Sequence, residues 1–382
     1  MRHILPSRRK IVFLLTQLAV GPVLLFPSLA ARSMEPDIPK IQSEAERGSI
    51  QDQIELGAAY FVGRGVNQDE KLAAYWYEKA ANAGDPAAEN QIGYFYQVGV
   101  GVPKDLARAV RWYERAASSG FVRAKVNLGV AYLFGLGVRK DEGLAAQLFK
   151  EAVKKGSGLG ACYLGDMYYL GAGVQADTSE AQHWYETGVK LHDPHAQLRL
   201  GLMLSGDRAR GKDFKRAATL LRESANAGLI PAKHQLGLLL VQSPQLANSP
   251  DEAVSLLKEA SLAGSWKSSV ALGVLAREGK GMPANTEEAY YHFRVAALQG
   301  GETANQLVAN DLNMLSEKLG AEKVKEVDQE ASAWYQIHHL SLELVLKAGE
   351  RSKDFPGYAL QSPQGNAHAG QIIATSQIQD QD

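Results

Sequence analysis

Cysteine is nearly absent. Cys162 is the only one in 382 residues, so no intramolecular disulfide can form, and no cysteine follows the N-terminal apolar run to carry a lipid. Its place two positions before Leu164 reads as a small buried core residue, not a reactive thiol. An excess of one charge is also missing: 41 basic residues face 42 acidic ones, a net of −1. With no basic stripe beyond the N-terminus, this balance argues against a nucleic-acid partner. Long apolar runs stop after the first thirty residues, so membrane contact is expected only through that end.

The N-terminus stands apart. Arg2, Arg8, Arg9 and Lys10 precede an apolar run from Ile11 to about Ala31, and Ser28-Leu29-Ala30 offers small residues at the two positions a signal peptidase reads. Residues 1–31 therefore read as a secretory signal cleaved after Ala30. A run of about 20 residues also suffices to span a bilayer, so an uncleaved inner-membrane anchor is the alternative; Gly21-Pro22 and the exit motif favour cleavage. Either way the body is expected outside the cytoplasm, periplasmic or secreted.

What is abundant is repetition. Stepping 36 residues from Gly57 lands on Gly93, Gly129, Gly165, Gly201, Gly237 and Gly273. Stepping from Gly84 lands on Gly120, Gly156, Gly228, Gly264 and Gly300, with only His192 breaking the series. After a lead over residues 32–48, seven copies follow without insertion: 49–84, 85–120, 121–156, 157–192, 193–228, 229–264 and 265–300. Each reads as two antiparallel helices; in the first, helix A covers about Gln51–Phe61 and helix B about Glu70–Ala83.

One slot at the start of helix B holds Asp69, Asp105, Asp141, Asp177, Asp213, Ser249 and Asn285, all side chains that accept the free N–H groups of a first turn. Glu180, Glu252 and Glu288 three places on suggest capping boxes, and Pro250 a helix starting directly after Ser249. These acidic residues recur a repeat apart, so they do not converge on a calcium ion. Ala73 and its six equivalents, and the small residues at Ala80, Ala116, Ala152, Gly188, Ser224, Ala260 and Ala296, mark close helix contacts. Trp76, Trp112, Leu148, Trp184, Leu220 and Leu256 are expected to fill the space between. Gly84 and its equivalents suit a helix C-terminus, where a positive φ costs glycine little.

The string Leu-Gly-x-x-Tyr, Gly-x-Gly-Val, Asp, Ala-x-x-Trp-Tyr, Ala-Ala-x-x-Gly is complete from Leu56 to Gly84, and continues with Ile92 for the leucine through Gly120. It resembles the Sel-one-like repeat (SLR) family, relatives of the tetratricopeptide repeats. The resemblance covers residues 49–300 and implies an all-α fold, a right-handed α-solenoid of seven repeats used as a protein-interaction scaffold. After Gly300 the register fades: Ala304, Val308 and Ala309 continue it in an eighth helix A over 303–318. A helix over about Ala321–Lys347, with Val324, Val327, Ala331, Trp334, His338, Leu342 and Val345 at helical spacing, then closes the array. Residues 301–349 are thus a degenerate repeat and capping helix, and 350–382 a polar tail expected to be disordered.

No motif commits the chain to catalysis, a cofactor or a metal. The Gly-x-Gly turns follow no strand and lack a third glycine. Ser255-Leu256-Leu257-Lys258 matches the Ser-x-x-Lys of penicillin-recognising enzymes, but its leucines occupy packing slots and no partner motif exists. His183, His192 and His195 lack a completing ligand. Departures from the repeat are more informative. The Gly-x-Gly-Val turn becomes Asp207-Arg208-Ala209-Arg210-Gly211-Lys212 in copy five and Ser243-Pro244-Gln245-Leu246 in copy six. The slot of Tyr60, Tyr96, Tyr132 and Tyr168 becomes Leu204 and Leu240. Arg199, Arg208, Arg210 and Lys212, with Lys215 and Arg216, are the candidate basic edge for an acidic protein partner. The four tyrosines are candidates to line a concave face holding an extended or helical segment, with core packing the alternative. Resemblance to envelope SLR proteins implies support of exopolysaccharide secretion or restraint of a sensor kinase. Cysteine-rich relatives that bind or hydrolyse β-lactams are the enzymatic alternative, and they use paired cysteines that this chain lacks.

Overall fold

The computed structural model describes residues 36–206 and 213–350, with side chains to 338. The expected signal segment, the expected disordered tail, and Arg208, Arg210 and Lys212 lie outside those described. Helices account for all the regular structure among the described residues. They fall into two compact units, divided between Ala196 and Gln197, with the second reaching Val345.

The first unit opens with α1 (Ile38–Glu46), followed by α2 (Ile50–Val62), α3 (Glu70–Asn82), α4 (Pro86–Val98), α5 (Leu106–Ser118), α6 (Val122–Phe134), α7 (Glu142–Lys154), α8 (Gly158–Leu170) and α9 (Thr178–Lys190). The division falls inside α10 (Pro194–Ser205). The second unit continues with α11 (Phe214–Asn226), α12 (Ile230–Gln242), a 3-10 turn at Pro244–Leu246, α13 (Glu252–Leu262), α14 (Trp266–Glu278), α15 (Thr286–Leu319) and α16 (Ala321–Glu350). The all-α repeat of paired helices is thus as expected, and the first pair begins and ends within a residue of its expected bounds.

Six of the seven cap slots behave as read. Asp69, Asp105, Asp141, Asp177, Asp213 and Asn285 each accept backbone N–H bonds from the first turn of helix B, as from Arg108 to Asp105 at 2.9 Å. The capping-box expectation needs correction. In a capping box the glutamate would take the cap residue's own N–H, but here that N–H is already spent on helix A. It donates to Tyr168 O from Asp177, the cap before Glu180, and to Ala276 O from Asn285, the cap before Glu288, at 2.9 and 2.8 Å. Ser249 is a second correction. No helix starts there; the helix begins at Glu252, whose carboxylate takes the Asn248 N–H at 2.5 Å instead.

The deepest packing slot lies one residue beyond the expected one. Trp76 and Leu220 are buried, but Trp112, Leu148, Trp184 and Leu256 are only half-buried. Buried in every copy are Tyr77, Tyr113, Phe149, Tyr185, Leu221, Leu257 and Phe293, with Tyr77 no deeper than Trp76 beside it. Each sits on a glycine of helix A: a Cβ added to Gly129 would come within 2.6 Å of the Phe149 ring, and one on Gly273 within 2.8 Å of Phe293. Helix A carries glycine there because a ring from helix B occupies the space of a side chain. In copies two to four the second glycine of the turn seats that loop against the preceding repeat; a Cβ at Gly101 would collide with Glu70 O, at the start of α3.

The ends are closed by truncated repeats. In α1, Ala45 and Gly48 hold the slots of Ala81 and Gly84, and Ala45 packs with Leu56 and Trp76. Gly301, with φ 56° and ψ −143°, splits α15 and starts the eighth helix A. Ala304 and Val308 are buried in it as read, but Ala309 in the glycine slot is exposed, because no ring returns over it. In α16, Val327 and Ala331 are buried, Val324 and Trp334 half-buried, and Leu342 and Val345 belong to the part without described side chains.

Glycine here is needed for two different reasons, which separate on mutation. Gly129→Ala meets Phe149 and is expected to cost about 1–3 kcal/mol through overpacking. Gly120→Ala meets nothing within 4 Å at φ 85° and is expected to cost about 1–2 kcal/mol of backbone strain alone. Urea denaturation of both, with Gly120→Asn recovering part of the loss and Gly129→Asn none, checks the assignment.

Candidate functional site

The four candidate tyrosines end helices A of the first unit. Their carbonyls receive the cap N–H of helix B, at 2.8–2.9 Å in all four copies. The rings of Tyr96 and Tyr132 meet a glutamate of the preceding repeat. The Tyr96 hydroxyl donates to Glu78 Oε1 of the preceding repeat at 3.0 Å and accepts from Arg108 at 2.9 Å. The Arg108 guanidinium also lies 5.1 Å from the Tyr96 ring centre. Burial, then the Glu78 carboxylate, raises the Tyr96 pKa; burial and Glu114 do the same for Tyr132. Glu78 and Glu114 are one repeat apart, so the contact recurs. Tyr60 is half-buried against Ala45, Leu56 and Trp76, and Tyr168 is half-buried.

Of the candidate basic edge, Arg208, Arg210 and Lys212 lie outside the described residues. Arg199 is only 4% exposed. It occupies the helix-A slot that buries Asn127 and Tyr163 in earlier copies, and the same face of the helix buries it here. Lys215 and Arg216 are exposed. The altered turn of copy six is folded: Arg222 donates to Leu246 O at 3.1 Å and to Glu252 at 2.8 Å, tying the 3-10 turn to the delayed start of α13.

Charge pairs that the sequence reading missed stitch the helices together. Within a repeat, Arg115–Glu89, Lys125–Glu151 and Lys233–Glu259 join helices A and B at 2.6–2.8 Å. All three have a spacing of 26, and the signs swap between copies two and three. Between repeats, Arg222–Glu252 and Lys258–Glu288 pair at 2.8 and 3.6 Å, and Glu78 and Arg108 share the Tyr96 hydroxyl, all at a spacing of 30. Opposite charges recurring at 26 and 30 were the available signal. The exposed pairs stabilise by roughly 0–1 kcal/mol each and serve more to fix register.

The remaining candidates fall into the fabric. Cys162 is wholly buried, Ser255 is exposed on α13, and Lys258 turns to Glu288. His192 takes the left-handed backbone of the glycine it replaces, φ 56°. Among the described residues no three His, Cys, Asp or Glu side chains are grouped to hold a metal, and no helix is long and apolar enough to cross a membrane. In the second unit His292 stands where Trp76, Trp112 and Trp184 stand earlier. Its smaller ring leaves a cleft of about 190 Å³ that Trp334 of α16 flanks, with Lys258 and Leu272 also lining it.

Two titratable groups away from the candidate residues are shifted by desolvation, Asp193, which is half-buried, and His234, which is buried. Asp193 accepts the Ala196 N–H at 2.8 Å, and burial pushes its carboxyl up to about 6. His234 Nδ1 lies 2.9 Å from Ser268 Oγ, and burial, with Lys267 beside it, draws the imidazole down to about 4.

A family model described as Sel1 repeat matches residues 51–85, 86–121, 122–157, 159–193, 194–229 and 267–301. The stretch passed over holds α12 and α13, the pair whose turn and cap depart from the others. Among solved structures, a Sel1 repeat protein from Oxalobacter formigenes is 29% identical, the match covering 56% of this chain and 85% of that one, with a TM-score of 0.49. A protective antigen of uropathogenic Escherichia coli strains displaying an SLR fold is 23% identical over 83% of this chain and 74% of that one, with a TM-score of 0.42. A sequence comparison with curated proteins returned no match.

The two desolvated groups predict opposite pH responses. The fold favours neutral His234, whose contribution is present above pH 6.5 and is lost as pH falls through about 4. It also favours protonated Asp193, whose contribution is present below pH 3.8 and is lost as pH rises through about 6. Asp193→Asn, which keeps a cap, is expected to stabilise at pH 7.5 by roughly 2–3 kcal/mol and to gain nothing near pH 4. His234→Asn should flatten the loss of stability between pH 6.5 and 4. Urea midpoints across that range read both.

Proposed function

The chain belongs to the Sel1 repeat family, and from that premise we propose that it is a non-catalytic scaffold or adaptor in a bacterial cell envelope. Sel1 repeat proteins generally mediate protein–protein interaction. The finer reading is that this one supports an exopolysaccharide secretion machine or holds a sensor kinase in check. One observation carries the non-catalytic part: the recurring polar residues are spent on the fold. Cap carboxylates hold N–H groups, and buried tyrosine hydroxyls donate inward, Tyr113 to Gln97 and Tyr185 to Asp166, both at 2.7 Å. Helix pairs that offer the same slot every 36 residues suit a partner whose affinity is spread over several repeats.

The basic n-region, the apolar run and Ser28-Leu29-Ala30 support export, with the mature chain starting at Ala31. The turn over residues 207–212, with Arg208, Arg210 and Lys212, supports an acidic protein partner at that edge.

Cross-linking followed by pull-down from envelope fractions is expected to return a discrete protein partner. Arg208→Glu with Arg210→Glu is expected to weaken its capture about tenfold at low salt and less at high salt. Absence of any specific partner overturns the scaffold reading, and nitrocefin turnover above that of an inactive repeat control overturns its non-catalytic part. Intact mass of the protein from a periplasmic extract checks the cleavage.

A further inference from the structure

The second unit carries a hole and a knob side by side. The hole is the cleft of about 190 Å³ beside His292. Leu272 and Val295, both wholly or almost wholly buried, form its floor, and Leu262 of α13, Tyr291 of α15 and Trp334 of α16 line its sides. The ring of His338 stacks on Trp334 with centres 4.4 Å apart, which holds that wall in place. Polar groups around the cleft are already engaged: Ser261 Oγ lies 2.7 Å from Ser269 Oγ, and Lys258 and His292 both face Glu288, at 3.6 and 3.7 Å. What the cleft lacks is an apolar side chain, because its lining forfeits packing on the open side.

The knob is Ile337. It is 70% exposed, the most of any large apolar residue among those described, and Leu262 on the rim of the cleft is 50% exposed. A lone exposed isoleucine is common. This one follows Trp334 by three residues, which makes the two neighbours on the surface of α16 and sets the isoleucine a single turn from an unfilled apolar cleft.

Symmetry selects the partner. A two-fold axis lying along the face, midway between knob and hole, carries each onto the other's position, so one rotation seats both isoleucines and closes both clefts. A different protein would have to supply a knob for the cleft and a hole for Ile337 at that same spacing. Charge at the cleft does not oppose the contact, since Lys258 and Glu288 offset each other.

We propose that two copies of this chain associate through this face about a two-fold axis, Ile337 of each seated in the cleft of the other between Leu262 and Trp334. The contact uses α13, α15 and α16 of the second unit and does not depend on the scaffold reading.

Sedimentation velocity of the purified full chain over a concentration series tests it. One knob and one cleft cover less than the roughly 800 Å² per partner of a standard stable interface, so a weak dimer in equilibrium with monomer is expected, with nothing larger. Ile337→Glu puts a charge where the cleft is apolar, at a position exposed enough to leave the fold intact. His292→Trp restores the residue found in the slot of Trp76, Trp112 and Trp184 and fills the cleft from within. Each is expected to weaken the dimer at least about tenfold, with the unfolding midpoint unchanged for the first and unchanged or raised for the second, whereas Ile337→Leu keeps the association. An equimolar mixture of Leu262→Cys and Ile337→Cys chains, treated with an added oxidant, is expected to yield more covalent dimer than either chain alone, the native Cys162 being buried. A chain that stays monomeric at every concentration, its cleft then left to the segment beyond residue 350 or to another protein, overturns the proposal. So does a dimer that Ile337→Glu leaves intact, or growth beyond the dimer; Ile337→Glu decides alone if His292→Trp does not fold.

Discussion

Everything in this fold depends on one contact, a ring or leucine of helix B resting on the bare backbone of a glycine in helix A. The contact brings the two helices close enough for a cap N–H at the start of helix B to reach a carbonyl near the end of helix A. That second bond ties the turn to helix A in the six copies whose cap slot is occupied by Asp or Asn. Adding a methyl group at Gly129 would separate the helices and strain the cap bond with them.

Copy six shows the linkage in reverse. It keeps Gly237 under Leu257, but its tyrosine slot is Leu240, its Gly-x-Gly-Val turn is gone, and its helix B starts three residues after the cap slot. Copy five has lost the tyrosine and the Gly-x-Gly-Val turn as well, yet Asp213 N–H still donates to Leu204 O at 3.1 Å and its helix B starts on time, so the late start is particular to copy six. Arg222 from the preceding repeat replaces the lost tie, bonding both the turn and Glu252.

A scaffold assembled from such contacts has little chemistry to spare in its repeating positions. Of the four tyrosines, Tyr96 bonds Glu78 of the preceding repeat and Tyr132 meets Glu114 in the same way.

The sequence by itself determined the repeat, the paired helices, the caps and the closing helix, because these rest on local propensity and on spacing along one chain. It did not determine which of two adjacent large residues is deep: Phe149, not Leu148, rests on Gly129, and that depends on the rotation of helix B against helix A. Nor did it place Arg199, whose burial follows from the face its slot presents, or reveal pairs at spacings of 26 and 30, which meet only once helices stack. Those were decided by tertiary structure, since a helix fixes the order of its side chains while its neighbours decide which of them lose water.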